Sequence, residues 1–306
     1  MNMNNNELEN IFLKKYQINK DKDKDKDKKS FLSKKFNSIK NSIKKKSIFL
    51  KKKKFMISFS GWGMETTLPS PPWINSIDVN DINFNSYHED LKSLILNKEF
   101  FLSQFNLPGT NYEKILEELK WRSYIIYNSI ICSINLSKNN NFKIVECGVC
   151  DGLTIFYALS ACKSKNVSFK GYLYDSFGLM KEEHLDGRDK NQVGDYDYLD
   201  IEQTKKNLQM FENDLIFNKG YIPEIFIDGN NPADISWLHI DLNSSKTTLQ
   251  SMEFFFPKLI DSGVMIFDDY GMFPTTKEIV DKFLADKKGH FINFPTGQGM
   301  FIKRNS

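Results

Sequence analysis

The stretch Val145-Glu146-Cys147-Gly148-Val149-Cys150-Asp151-Gly152-Leu153-Thr154 decides how the rest of the chain is read. It joins a short apolar run, Lys143–Cys147, to a helical pattern running from about Leu153 to Cys162. Gly148 and Gly152 let the backbone turn sharply and come close to a ligand. The helix that follows presents N–H groups with no partner inside the helix. The spacing is E-x-G-x-x-x-G rather than G-x-G-x-x-G, so a dinucleotide fingerprint fits poorly.

Downstream, the strand, loop and helix pattern repeats. Phe169–Tyr174 reads as a second strand closed by Asp175, and a polar loop leads to a helix from about Ile201 to Phe211. Leu215–Asn218, Trp237–Ile240 and Val264–Phe267 read as the third, fourth and fifth strands. Helices are expected over Ser245–Phe256 and Thr275–Ala285, and His290–Phe294 with Gly299–Lys303 flank Pro295-Thr296-Gly297 as a hairpin. Strands alternating with helices imply right-handed βαβ units. The expected fold is therefore α/β, a doubly wound, seven-stranded, mostly parallel sheet with an antiparallel C-terminal hairpin at its edge.

In such sheets ligands bind outside the C-terminal strand ends. The acids gather there: Glu146 on strand one, Asp175 after strand two, Asp241 after strand four, and Asp268-Asp269 after strand five. Asp175 follows Gly148 by 27 residues, where an acid can accept hydrogen bonds from both hydroxyls of a ribose; the lesser alternative is that it caps a turn or helix together with Ser176. That role suits NAD and S-adenosylmethionine (SAM) alike, and the glycine spacing turns the reading to SAM. Strands four and five are expected to be neighbours about 5 Å apart. Asp241, Asp268 and Asp269 would then repel one another unless a cation or proton neutralises them. Oxygen ligands point to Mg²⁺, Ca²⁺ or Mn²⁺. The bland alternative is that Asp268-Asp269 cap the next turn. His239 shares the face of Asp241 in a strand and reads as a satisfied histidine of the sheet rather than a base.

Upstream, residues 1–54 hold 18 Lys, no Arg and 6 acids, a charge of +12, whereas the remainder carries −9. Asn runs, the alternating Asp21–Lys28 stretch and Lys clusters cannot bury enough apolar surface to order themselves. Residues 1–54 are expected to be a disordered tail, solvated or held to anionic surfaces, without specific nucleic-acid readout. Residues 55–140 read as an N-terminal loop and helical cap, with helices over 87–103 and 111–133, and 141–306 as the catalytic domain. The Gly61–Thr67 and Asp186–Asp197 segments are candidates for closing over a substrate. No run of about 18 apolar residues suggests a membrane span, and no secretory signal is evident. Cys147 and Cys150 form a C-x-x-C pair without a second pair or paired histidines, so zinc is not expected; small buried thiols in a reducing cytoplasm fit better.

The ordered motifs resemble class I SAM-dependent methyltransferases, and most of all the sugar O-methyltransferases of the macrocin O-methyltransferase (TylF/MycF-like) group. The resemblance rests on Val145–Val149, Tyr174-Asp175-Ser176-Phe177, Lys219-Gly220-Tyr221-Ile222-Pro223, Leu238-His239-Ile240-Asp241, Val264–Gly271 and Pro295–Gly299. It implies that the loop with Glu146, Gly148, Val149, Gly152 and Thr154 holds the methionine part of SAM. It also implies that Asp175 and Ser176 hold the ribose and that Gly220 lines the same cofactor site. Asp241, Asp268 and Asp269 would bind Mg²⁺, which holds neighbouring hydroxyls of a sugar, and Asp241 would also take the proton. The family often reads Asp-x-Asp where this chain has Asp241-Leu242-Asn243. The expected partners are a small-molecule or glycan hydroxyl acceptor and a second copy of the chain. Two rival classes remain at this point: an NAD-linked oxidoreductase on a related sheet, and a non-catalytic binding module with a basic tether.

Overall fold

The computed structural model describes residues 79–98, 100–102, 111–137 and 142–305, with the backbone of a short ribbon pairing Ser60–Gly61 with Met64–Glu65. The expected tail and most of the segment between it and residue 79 lie outside the described residues, including all of Gly61–Thr67 except the ribbon positions.

Among the described residues, three helices precede the sheet: α1 (Ile82–Asn97), α2 (Tyr112–Glu118) and α3 (Lys120–Leu136). Helix α1 starts earlier than its apolar periodicity suggests, because the Asp81 side chain accepts from the Phe84 N–H at 3.0 Å and so caps an exposed first turn. The single helix expected over 111–133 is two, broken at Leu119.

The sheet strands are β1 (Phe142–Cys147), β2 (Phe169–Asp175), β3 (Leu215–Lys219), β4 (Ile235–Ile240), β5 (Leu259–Phe267), β6 (Gly289–Asn293) and β7 (Gly299–Lys303). Helices α4 (Leu153–Ser164), α5 (Ile201–Asn207), α6 (Ile225–Asp228), α7 (Ser245–Phe255) and α8 (Pro274–Leu284) connect them. The order is β3-β2-β1-β4-β5-β7-β6, and the chain reverses its winding between β1 and β4. Strand β7 alone runs against its neighbours. The C-terminal hairpin forms the edge of the sheet as expected, with β7 docked beside β5 and β6 outermost. The cause is burial: Gly299, Met300 and Phe301 of β7 are buried, whereas β6 is largely exposed and takes the rim.

Side-chain alternation divides the core between the two faces. Ile144, Leu173, Trp237, Val264 and Ile266 join α1, α3 and α4 in one cluster. Val145, Tyr174, Leu238, Met265 and Phe267 join residues of α7 and α8 in the other. Helix α3 is pinned across the first face by polar ties as well: the Trp237 indole N–H donates to Ser129 Oγ at 2.8 Å, and Ser133 Oγ donates to the Ser236 carbonyl at 2.8 Å. These ties aim the start of α3 at the ends of β4 and β5.

Candidate active site

The strand ends form one row. Beyond the strands, backbone N–H groups continue the parallel ladder: Gly220 to Asp175 O (2.9 Å), Gly148 to Tyr174 O (2.8 Å), Asp241 to Cys147 O (2.8 Å) and Asp268 to Ile240 O (3.0 Å). Gly220, Asp175, Gly148, Asp241 and Asp268 therefore stand side by side along the carboxyl edge. Gly148 has φ +89°, and a Cβ there would sit 1.7 Å from the Asp241 carbonyl oxygen. Only glycine lets the loop lie against the end of β4.

On the β1–β2 side, Asp175 organises the loop. Its Oδ2 accepts the N–H groups of Val149 (2.8 Å) and Cys150 (2.9 Å), and its Oδ1 accepts that of Phe177 (2.7 Å). Burial raises the Asp175 pKa, and the three N–H donors oppose that rise. Helix α4 starts on Gly152 in the left-handed region at φ +86°, without a side-chain cap. Its first-turn N–H groups, beside Thr154, thus face the loop. A pocket of about 80 Å³, open to solvent and lined by Asp175, Ser176, Gly220, Tyr221, Leu242 and Thr247 among others, lies beside this edge. The Ser176 hydroxyl donates to the Gly178 carbonyl at 3.1 Å. Of the expected cofactor residues, Asp175, Ser176 and Gly220 thus share one pocket, and Gly148, Val149, Gly152 and Thr154 belong to the adjoining loop and helix start. Glu146 does not line it: the residue is fully buried beneath the loop, and its Oε1 lies 2.9 Å from His239 Nδ1.

On the β4–β5 side, carboxylates crowd together. Asp268 Oδ1 accepts from Gln298 Nε2 at 2.8 Å, and its Oδ2 is paired with the Arg122 guanidinium. Arg122 reaches in from α3, and its Nη1 also donates to the Thr296 carbonyl at 3.0 Å. Asp269 Oδ2 accepts the Asn243 N–H at 2.9 Å, with Asn243 at φ +50°, a conformation asparagine tolerates. Burial raises the Asp241 pKa to about 6, with Arg122 opposing and Asp175 adding to the rise. Burial, and then the charge of Asp241, raise that of Asp269 to about 8. One guanidinium is too little positive charge for three carboxylates. The ligand atoms of His239, Asp241 and Asp268 lie within 4.8 Å of one another. The donor set and its charge deficit fit a divalent cation, with His239 drawn in beside Asp241 and Asp268. Burial pushes the His239 pKa down to about 3, with Arg122 adding to the effect, and burial holds Glu146 well above the usual carboxylate range.

Arg122 is the functional group that the sequence reading missed. A signal was present: it is one of three arginines in a chain with 39 lysines. A chain so biased to lysine has reason to keep arginine where a planar fork must hold a carboxylate. The Asp186–Asp197 loop is folded in place, not open. Asp189 Oδ2 accepts from Ser245 N (2.8 Å) and Ser245 Oγ (2.5 Å), and Gln192 Nε2 donates to the Asn243 carbonyl at 2.6 Å. Cys147 and Cys150 are free, and burial raises both thiol pKa values, so neither is a thiolate near neutral pH.

A parallel doubly wound sheet with one reversed inner strand, a glycine bend over β1 and an acid at the end of β2 defines a SAM-dependent methyltransferase of class I. The macrocin-O-methyltransferase (TylF) family model matches residues 133–295, over half of the chain. The chain belongs to that family, whose members transfer the methyl group to oxygen. Among solved structures it is similar to the O-methyltransferase NovP, at 18% identity and TM-score 0.57 over 73% of this chain and 99% of that one. It is also similar to CalS11, a calicheamicin methyltransferase, at 14% identity and TM-score 0.46 over 74% of this chain and 98% of that one. No curated protein sequence matches it. The oxidoreductase and inert-module readings end here. No helix among the described residues is long and apolar enough to cross a membrane.

Proposed function

We propose that this enzyme methylates a hydroxyl of a sugar or other small-molecule or glycan acceptor at the carboxyl edge of its sheet, with Asp241 as the proton acceptor. The observation that carries this reading is the place of Asp241. It adjoins the glycine bend, and burial lifts its carboxyl to about 6, so it takes a proton near neutral pH and gives it up readily. SAM supplies an electrophilic methyl group on a good leaving group. The protein's own task is alignment and proton removal.

In this reading the loop of Gly148, Val149, Gly152 and Thr154 cradles the methionine part of SAM, and Asp175 with Ser176 faces the ribose in the pocket that Gly220 lines. Asp175 serves both partners: its bonds to Val149 and Cys150 set the loop's shape, and its remaining lone pairs are open to ribose hydroxyls. Asp241, Asp268 and Asp269 hold a divalent cation, Mg²⁺ in the first instance. When bound, that cation supplies the charge that eases deprotonation of an acceptor hydroxyl. Arg122 holds Asp268 in place from the opposite side. Asp241 accepts the hydroxyl proton as the oxygen attacks the methyl carbon, and the products are the methyl ether and S-adenosylhomocysteine. The four free cysteines support action in the cytoplasm.

The test is transfer of labelled methyl from SAM to nucleotide sugars bearing neighbouring hydroxyls, with and without EDTA. Labelled ether that disappears in EDTA and returns with Mg²⁺ supports the reading. Labelled ether formed equally well in EDTA removes the cation from it, and labelling only of nitrogen or carbon acceptors removes the hydroxyl.

A further inference from the structure

His239 sits in the middle of the carboxyl edge and is entirely buried, yet one ring nitrogen has no hydrogen-bond partner. Its strand places it directly across from Glu146 in the β1–β4 register, and Glu146 Oε1 lies 2.9 Å from Nδ1. That contact fixes the ring's orientation and turns Nε2 the other way, toward the end of β5. There Nε2 lies 3.6 Å from Asp268 Oδ1. A separation of 3.6 Å is too long for a hydrogen bond. It suits two donors of one ion, since ligands about 2.1 Å from a metal stand roughly 3–3.5 Å apart. Asp241 completes the group, with all three ligand atoms within 4.8 Å of one another. A buried polar atom without a partner is costly, and such an atom aimed into a cluster of carboxylates marks the place of a cation.

We infer that His239 is a nitrogen ligand of the cation held at this edge, beside Asp241 and Asp268, and that Glu146 is the carboxyl that orients its ring. The inference rests on the cation reading above and deepens it. A carboxylate behind a ligating histidine fixes which nitrogen faces the metal, and loss of such a partner usually weakens metal binding by about 10–100-fold. An imidazole ligand moves the site away from the all-oxygen sets that suit Mg²⁺ and toward Mn²⁺ and later transition metals. The site thus binds Mn²⁺ more tightly than Mg²⁺, and Glu146, expected from sequence to touch SAM, serves the metal through His239 instead.

The experiment is Mn²⁺ binding to the full chain, followed by electron spin echo spectroscopy of the bound ion. The expected result is tight Mn²⁺ binding with nitrogen modulation from a directly bound imidazole. Asp241→Asn should abolish both, which places the nitrogen at this site, and His239→Gln should remove the modulation and weaken Mn²⁺ binding by more than tenfold. Bound Mn²⁺ without nitrogen modulation overturns the role of His239 while leaving the carboxylate site standing. Modulation that survives in Asp241→Asn assigns the nitrogen to another histidine and also overturns it. Failure of the full chain to bind Mn²⁺ or Mg²⁺ at all overturns the cation reading itself. The wild-type spectrum and Asp241→Asn keep the inference testable should His239→Gln not fold.

Discussion

The two halves of the carboxyl edge solve the problem of a buried carboxylate differently. At β1–β2, Asp175 accepts three backbone N–H groups, so its charge is spent on holding its own loop. At β4–β5, Asp241 and Asp269 share with Asp268 a single guanidinium, and burial lifts their pKa values to about 6 and about 8. The first half is satisfied by the chain itself. The second stays short of positive charge and can take a proton or a metal ion. Under the proposed function, an edge built this way would shape a cofactor pocket on one side and do acid–base work on the other, within a single row of residues.

Asp268→Asn should break the charged half with the largest effect. Turnover is expected to fall by about 10²–10³-fold, with SAM affinity by calorimetry nearly unchanged. A parallel loss of SAM affinity would show that the halves are not separate. Gly148→Ala attacks their junction, since its Cβ overlaps the Asp241 carbonyl and its φ is left-handed. A loss of more than about 2 kcal/mol in denaturant unfolding is expected, and wild-type stability in this variant would contradict the close approach. Asp175→Ala leaves three N–H groups without their acceptor, and a stability loss of about 2 kcal/mol or more should accompany weaker SAM binding.

A pH titration sharpens the comparison without mutation. Asp269, with a folded-state pKa of about 8, keeps a proton that the unfolded chain has released. The folded state then binds more protons, so stability falls as pH rises toward about 8. His239 acts in the opposite sense only below its unfolded value of about 6.5, which leaves the window from there to about 8 to Asp269. In EDTA, the melting temperature should be lower at the top of that window, and added Mn²⁺ should restore it there most strongly. A melting temperature that rises across the window would contradict the assignment. The smallest effect is expected away from the edge. Lys92 bridges Glu89 (2.8 Å) and Glu117 (2.6 Å) between α1 and α2. Lys92→Met should cost about 0.5–1 kcal/mol and leave turnover alone.

The charged row was legible in the sequence because strand ends are marked by abrupt changes from apolar residues to acid or glycine. Gly148, Asp175, Asp241 and Asp268 stand where those changes fall, and the hairpin around Pro295-Thr296-Gly297 is equally plain. Strand β5 was half hidden. Its first part carries Ser262 at φ +62° and faces a register shift at Ile235/Trp237, so its period is broken before Val264. The place of β7 was not legible either, since turn chemistry fixes a hairpin but not which arm docks on the sheet. Arg122 escaped because it belongs to the site only through tertiary packing: Ser129 and Ser133, farther along α3, tie the helix to β4. Asp189 is similar, a loop residue whose anchoring by Ser245 and Thr275 no local pattern announces.

The contact between Gly148 and the Asp241 carbonyl works as a fixed gauge. The bend that would seat the methyl donor and the end of β4 that would present the base touch backbone to backbone, with no side chain between them to flex. The spacing between that bend and the Asp241 main chain is then fixed, and only the Asp241 side chain can vary its distance from a seated donor. Under the proposed reading, acceptors of different size would be met by the loops above, while the seat of the methyl donor keeps its place against β4.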